Sequence, residues 1–150
     1  RRLHRTGIGS RPMNILYPAF AMFALTIFIL LRMGYHRVSA IKKKKMSIKF
    51  FRDYSGEQPE YLQVMERHFA NLCETPILFY VGVILAVVTN SASSFVIILA
   101  WVYFALRCLH SLIHLTTNNV NHRFLAFILS VTTLVVMWAT IAISVISRTQ

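Results

Sequence analysis

The stretch SFVIILAWVYFALRCLHSLIHL, Ser94 to Leu115, decides the fold, because its apolar run has the length of a membrane span. A bilayer core of about 30 Å needs roughly 20 largely apolar residues in helical form. Three further stretches meet the same demand, at about Asn14 to Leu31, His68 to Val88 and Phe124 to Ile146. The sequence therefore predicts an all-α integral membrane protein, a bundle of four transmembrane helices.

The composition supports a membrane protein and argues against a nucleic-acid-binding one. Of the 150 residues, 56% are hydrophobic and only 14% are charged, although the formal net charge is +11. The basic residues lie beside the apolar spans, where they act as topology signals and contact anionic lipid headgroups. We therefore expect membrane lipid, and no nucleic acid, among the partners.

The chain is predicted to hold one membrane domain, residues 13–150, after a polar extension or expression remnant at residues 1–12. A basic loop at about residues 32–66 follows the first span and contains Ser55-Gly56-Glu57-Gln58-Pro59, which interrupts any helix. Its excess of Lys and Arg, including Lys42 to Lys45, places this loop in the cytoplasm. Four spans then put the loop between the third and fourth helices in the cytoplasm too, and both termini on the opposite side.

Charged and polar side chains within the second and third spans indicate where function resides, because such groups are costly in a bilayer. On the second span, Arg67, Asn71 and Glu74 are spaced i, i+4, i+7 and share one helical face. On the third span the same holds for four residues, which are Arg107, His110, Ser111 and His114.

The depth of these residues predicts an ion pair between the two spans. At 1.5 Å per residue, Glu74 lies about 10 Å and Arg107 about 13 Å from the cytoplasmic surface. A Glu74–Arg107 pair, with Asn71 and His110 satisfying further donors and acceptors, would neutralise both charges. One interpretation is that this cluster only joins helices.

A surplus of cations favours a second interpretation, in which the cluster binds an anion. We expect Arg67, Arg107 and Arg123 to converge near the cytoplasmic end, with only Glu66 and Glu74 as nearby carboxylates.

The histidines are weaker signals. His68 and His122 are expected within reach of headgroups or water. His110 and His114, at i, i+4, lack a partnering carboxylate or Cys on their face, so no metal site is predicted.

The segment ERHFANLCETP, Glu66 to Pro76, followed by Arg107 and Arg123, resembles the membrane-associated proteins in eicosanoid and glutathione metabolism, the MAPEG family. The resemblance is concentrated between about Glu60 and Arg123. The Arg-x-x-x-Asn-x-x-Glu pattern, with Pro shortly after it, carries the resemblance together with the arginine on the third span.

The resemblance implies a homotrimer of four-helix protomers with glutathione at the protomer interfaces near the cytoplasmic side. By analogy, Arg67, Asn71 and Glu74 would bind the glutathione peptide, and Arg107 would support it by ion pairing. Arg123 would lie near the thiol and favour the thiolate, as a neighbouring cation does.

Two pairs of residues need separate comment. Arg32 or Arg37, at the end of the first helix, would add a contact to a glutathione carboxylate. His110 and His114 stand where eicosanoid-processing members of the family have a tyrosine. A histidine can also donate a hydrogen bond or take the thiol proton, so His110 is counted with the ligand-binding residues and His114 with Arg123 as catalytic.

The leading hypothesis is a membrane glutathione-dependent transferase or peroxidase, with glutathione as co-substrate and a lipophilic electrophile from the bilayer. A non-enzymatic subunit that uses the polar cluster for assembly is an alternative. A small membrane transporter that uses Glu74, or a haem or quinone anchor, is a third.

Overall fold

The computed structural model describes residues 14–54 and 56–149. The extension predicted at residues 1–12, and Met13, lie outside this range. The described chain is helical and contains no strand. Its elements are α1 (Leu16–Lys42), α2 (Phe50–Asp53), α3 (Glu60–Val88), α4 (Ser94–Leu115) and α5 (Val120–Thr149). Four of them, all but the short α2, are long and apolar enough to cross a membrane, which confirms the predicted all-α class and the four spans.

The helices beside the basic loop are longer than predicted. Helix α1 continues past Leu31 to Lys42, and α3 begins at Glu60, so the connection predicted at about 32–66 shortens to residues 43–59 and includes α2. Hydropathy detects only the part of a helix that lies in the bilayer core. Arg and Lys are good helix formers, so a helix can continue through basic residues beyond that core.

Short polar turns fix where the spanning helices end. Asn90 takes a left-handed conformation (φ 55°) after α3, and the Ser91 amide returns to the Ala86 carbonyl at 2.8 Å. This is the usual C-terminal arrangement for a helix that ends in Asn or Gly. Ser93 caps α4, since its hydroxyl oxygen accepts a hydrogen bond from the Val96 amide at 3.3 Å.

Two compact units emerge from the internal contacts of the chain. One comprises Met22–Pro76, and the other comprises the described residues on either side of it, 14–21 and 77–149. Pro76 lies inside α3, where a proline removes one backbone hydrogen bond of the helix.

The unit that contains α4 and α5 has a closely packed apolar interior. Helix α4 packs along α5. The Phe79 and Tyr103 rings stack with centroids 4.6 Å apart. The Trp138 indole nitrogen donates to the Leu78 carbonyl at 3.1 Å, which joins α5 to the second half of α3.

The unit Met22–Pro76 has its own small apolar core beside the basic connection. Its buried members are Ala40, Met46, Phe50 and Leu62, with Phe51 and Met65 packed against them. This core holds α2 and the lysine-rich turn against the ends of α1 and α3.

Candidate functional site

The polar face of α4 is buried, as its residue types and spacing suggested. Arg107 is fully buried, and His110, Ser111 and His114 are 2%, 2% and 6% exposed. The guanidinium carbon of Arg107 lies 5.9 Å from the centre of the Phe127 ring on α5, within range of a cation–π interaction. The ring also lies 6.2 Å from the ring of His110.

The turn between α4 and α5 brings Arg123 back to this face. Asn118 adopts φ 48°, and its amide donates to the Ile113 carbonyl at 2.8 Å. Asn119 caps α5, because its side-chain oxygen accepts from the amides of Asn121 at 3.0 Å and His122 at 3.2 Å. Since the turn is this short, Arg123 in the first turn of α5 faces the last turns of α4.

Arg123 contacts Asn118 in the loop and both histidines of α4. Its guanidinium donates to the Asn118 side-chain oxygen at 2.7 Å and lies 3.4 Å from the His114 Nε2. Its backbone carbonyl lies 3.0 Å from the His110 Nδ1. The structure therefore brings together three of the predicted site residues, His110, His114 and Arg123.

The partners of the two histidines favour particular positions for the ring hydrogens. A carbonyl can only accept, so the His110 Nδ1 must be the donor. A guanidinium can only donate, so the His114 Nε2, 3.4 Å away, can accept from Arg123 in the tautomer that leaves its lone pair free. Two histidines one helical turn apart thus contact the same arginine, His110 through Nδ1 at its carbonyl and His114 through Nε2 at its guanidinium.

Arg37 occupies a second polar cluster, in the unit Met22–Pro76. Its guanidinium forms an ion pair with Glu66, and Glu66 also accepts from the Gln58 amide at 2.8 Å. The Arg37 guanidinium lies 5.3 Å from the centre of the Phe51 ring. The Arg37 Nε is buried without a hydrogen-bond partner among the described residues.

The second-span residues Arg67 and Glu74 are exposed on α3, and Asn71 between them is partly buried. The Asn71 carbonyl accepts from the Thr75 hydroxyl at 3.5 Å.

His68 is 1% exposed, so the expectation that headgroups or water reach it is wrong, because it lies on the packed face of the helix. His122 is exposed, as expected. The predicted Glu74–Arg107 pair stays a prediction.

The family model for the MAPEG family matches residues 15–143, which is most of the chain. The chain belongs to the MAPEG family. It is accordingly an integral membrane protein of a family in glutathione and eicosanoid metabolism. Neither the search of curated proteins nor that of solved structures finds a significant match.

The MAPEG match spans every predicted site residue from Arg37 to Arg123. Sequence reasoning did not include Asn118, which fixes the Arg123 guanidinium, or Gln58, which shares Glu66 with Arg37. The Asn-rich loop was a visible signal for Asn118, which lies five residues before Arg123.

Within the described residues, no group of three or more His, Cys, Asp or Glu side chains is arranged to hold a metal.

Proposed function

We propose that this MAPEG protein is a membrane glutathione-dependent transferase or peroxidase that acts on a lipophilic electrophile. Glutathione is its co-substrate and binds as the thiolate. The active form is a homotrimer with glutathione at the protomer interfaces. Family membership supports the ligand class, and the setting of Arg123 supports the role of this chain's own residues.

The observation that carries the proposal is the uncompensated charge of Arg123. Its side-chain contacts, Asn118 and His114, include no carboxylate. All five carboxylates of the chain, Asp53, Glu57, Glu60, Glu66 and Glu74, precede residue 75, so the unit that holds Arg123 contains none. A guanidinium that is held at a membrane span without a carboxylate partner attracts an anion, and a thiolate is the anion that the family's chemistry requires.

The other predicted site residues are assigned to binding of glutathione. We assign the peptide part of glutathione to Arg67, Asn71 and Glu74, whose charged and amide groups match its carboxylates and ammonium. Arg37, whose side chain is partly exposed, adds a contact to a glutathione carboxylate. Arg107 and His110 support the site from the buried face of α4.

Exposed charges on α3 support assembly with further copies of the chain. Arg67 and Glu74 are exposed in the single protomer although α3 is a spanning helix. A charge that faces lipid is costly, and the cost falls when another protomer and a charged ligand cover it. We propose that neighbouring protomers cover this face, and that the basic loop and the α4–α5 turn lie in the cytoplasm with both termini opposite.

The chemistry needs only a thiolate held against an electrophile. In conjugation, the glutathione sulfur bonds to carbon and the leaving group departs with the bonding electron pair. In peroxide reduction, two glutathione molecules reduce one hydroperoxide, giving the alcohol, water and glutathione disulfide. His114 accepts the thiol proton on Nε2 as Arg123 turns from the ring toward the sulfur.

The test is to replace Arg123 in detergent-purified protein and measure glutathione binding by calorimetry, thiolate by ultraviolet absorbance, and turnover with an aryl halide. We expect Arg123→Ala to bind glutathione but to lose the thiolate signal and roughly 10²-fold in turnover, as when one electrostatic contact to a reacting anion is removed. Arg123→Lys should retain part of both. Arg52→Ala, which removes an exposed arginine from α2, is the matched control.

Unchanged thiolate absorbance and turnover in Arg123→Ala would refute the role of Arg123. Absence of any glutathione binding by the folded wild-type protein would refute the proposed function and favour the assembly subunit.

A further inference from the structure

A groove between α3 and α5 lies far from Arg123. It has a volume of 310 Å³ and is lined by Leu85, Thr89, Trp138, Ile141, Ala142, Val145 and Ile146. Thr89 is the single lining residue with a hydroxyl, and the rest of the lining is apolar. The groove belongs wholly to the unit that contains α4 and α5.

The α5 side of the groove is one continuous helical face. Its residues from Trp138 to Ile146 are spaced i, i+3, i+4, i+7, i+8, and Arg148 continues the same face three residues after Val145. The face from Trp138 to Arg148 is about 15 Å long. An apolar strip of this length with a cation at one end matches a single amphiphilic molecule, whose hydrocarbon chain would lie on the strip and whose head would meet the cation.

Arg148 marks the polar end of the groove. Its guanidinium donates to the Thr89 carbonyl at 2.9 Å, so it is placed beside the one polar lining residue. The Thr89 hydroxyl is already used, because it donates to the Leu85 carbonyl at 2.6 Å. Arg148 is exposed, and its unit contains no Asp or Glu. Its remaining N–H groups can therefore bind an external anion.

We propose that this groove binds a fatty acid, with the carboxylate on Arg148 and the hydrocarbon chain along α5 toward Trp138. A carboxylate matches the fork of a guanidinium, which a neutral alcohol or ester does not. The apolar lining matches a single acyl chain that partitions from the bilayer. Arg148 is about 37 Å along α5 from Arg123, so the site is separate from the proposed glutathione site and does not depend on it.

Trp138 provides a direct probe of occupancy. Trp101 is the second of the two tryptophans, so Trp101→Phe leaves Trp138 as the single emitter. This protein is reconstituted in phosphatidylcholine bilayers and titrated with a fatty acid brominated in mid-chain, which quenches indole fluorescence on contact. We expect quenching that saturates at low mole fraction and is reversed by unlabelled fatty acid, but not by the fatty alcohol of equal chain length.

Two variants locate the site, and one control tests its position. Arg148→Gln should weaken the apparent affinity roughly tenfold, the loss expected for a charge-assisted hydrogen bond. Ala142→Phe should abolish saturation by filling the groove. Arg123→Gln removes the same charge from the other end of α5 and should leave the titration unchanged.

Quenching that rises linearly with mole fraction, and equally in the Trp101→Phe protein with and without Arg148→Gln, would overturn the proposal, since it reports ordinary lipid contact. An effect of Arg123→Gln instead of Arg148→Gln would overturn it as well. Because Arg148→Gln alters an exposed side chain, the result stands even where Ala142→Phe fails to fold.

Discussion

At Gly82, α3 and α5 lie closer than a side chain would allow. A Cβ added there would be 2.7 Å from the Met137 terminal methyl and 3.1 Å from the Trp138 indole nitrogen. The methionine end can turn away because it is flexible. The indole cannot move freely, since its nitrogen is hydrogen-bonded to the Leu78 carbonyl. The glycine is needed here for close approach of the helices.

Gly82→Ala should therefore destabilise the protein by about 1–3 kcal/mol, the usual range for an overpacked site. Thermal unfolding in detergent, followed by circular dichroism, measures the change. Gly34→Ala is the matched control, because a Cβ at Gly34 meets no atom within 4 Å and alanine is the better helix former. Equal melting temperatures for the two variants would contradict the close contact at Gly82.

At the scale of elements, the short helix α2 organises the basic connection. Phe50 is 7% exposed and belongs to the core cluster with Ala40, Met46 and Leu62, whereas Ile48, two residues earlier, is 70% exposed. Around this core the chain carries the lysines from Lys42 to Lys45, which are exposed. Apolar burial of α2 thus holds a basic surface in place.

Phe50→Ala should release this segment, because removing a buried phenyl ring costs about 3–5 kcal/mol of local packing. The measurement is limited trypsin digestion of the protein in detergent, with cleavage sites identified by mass spectrometry. Cleavage after the basic residues of segment 42–52 should become faster. Ile48→Ala, which removes an exposed side chain, should digest like wild type, and equal rates in both variants would show that α2 is not held by Phe50.

For the whole molecule, the distribution of charge is uneven. The carboxylates all precede residue 75, while α4 and α5 carry only cations among their charged residues. Glu74 and Arg67 are exposed on a helix with the length and apolar composition of a membrane span. We interpret this face as the surface on which protomers and glutathione meet, since lipid would not stabilise it.

Glu74→Gln should accordingly weaken assembly and remove the stabilisation by glutathione. Native mass spectrometry gives the oligomeric state, and thermal shift with and without glutathione gives the ligand effect. Glu57→Gln is the control, because Glu57 is an exposed carboxylate in the connection before α3. An unchanged trimer with full glutathione stabilisation would contradict a role for Glu74, and loss of assembly with no effect of glutathione in wild type would favour the purely structural subunit.

Much of this architecture is readable from local patterns, and each of the two errors has a physical cause. The four spans and the shared faces of polar residues follow from hydropathy and the helical period, which depend on neighbours in the sequence. The lengths of α1 and α3 were underestimated, because hydropathy does not detect helix beyond the bilayer core. His68 was misplaced because burial depends on which face a neighbouring element covers.

The sequence by itself determined the class, the number of spans, the polar face of α4 with its buried Arg107, and the family signature. Only the tertiary structure decided the contacts of Arg123 with Asn118, His110 and His114, the pairing of Arg37 with Glu66, and the groove beside Arg148. The physical reason is that a one-dimensional period specifies the face of a helix but not its partner. The partner depends on the short turn after α4 and on how closely small residues such as Gly82 allow the helices to approach.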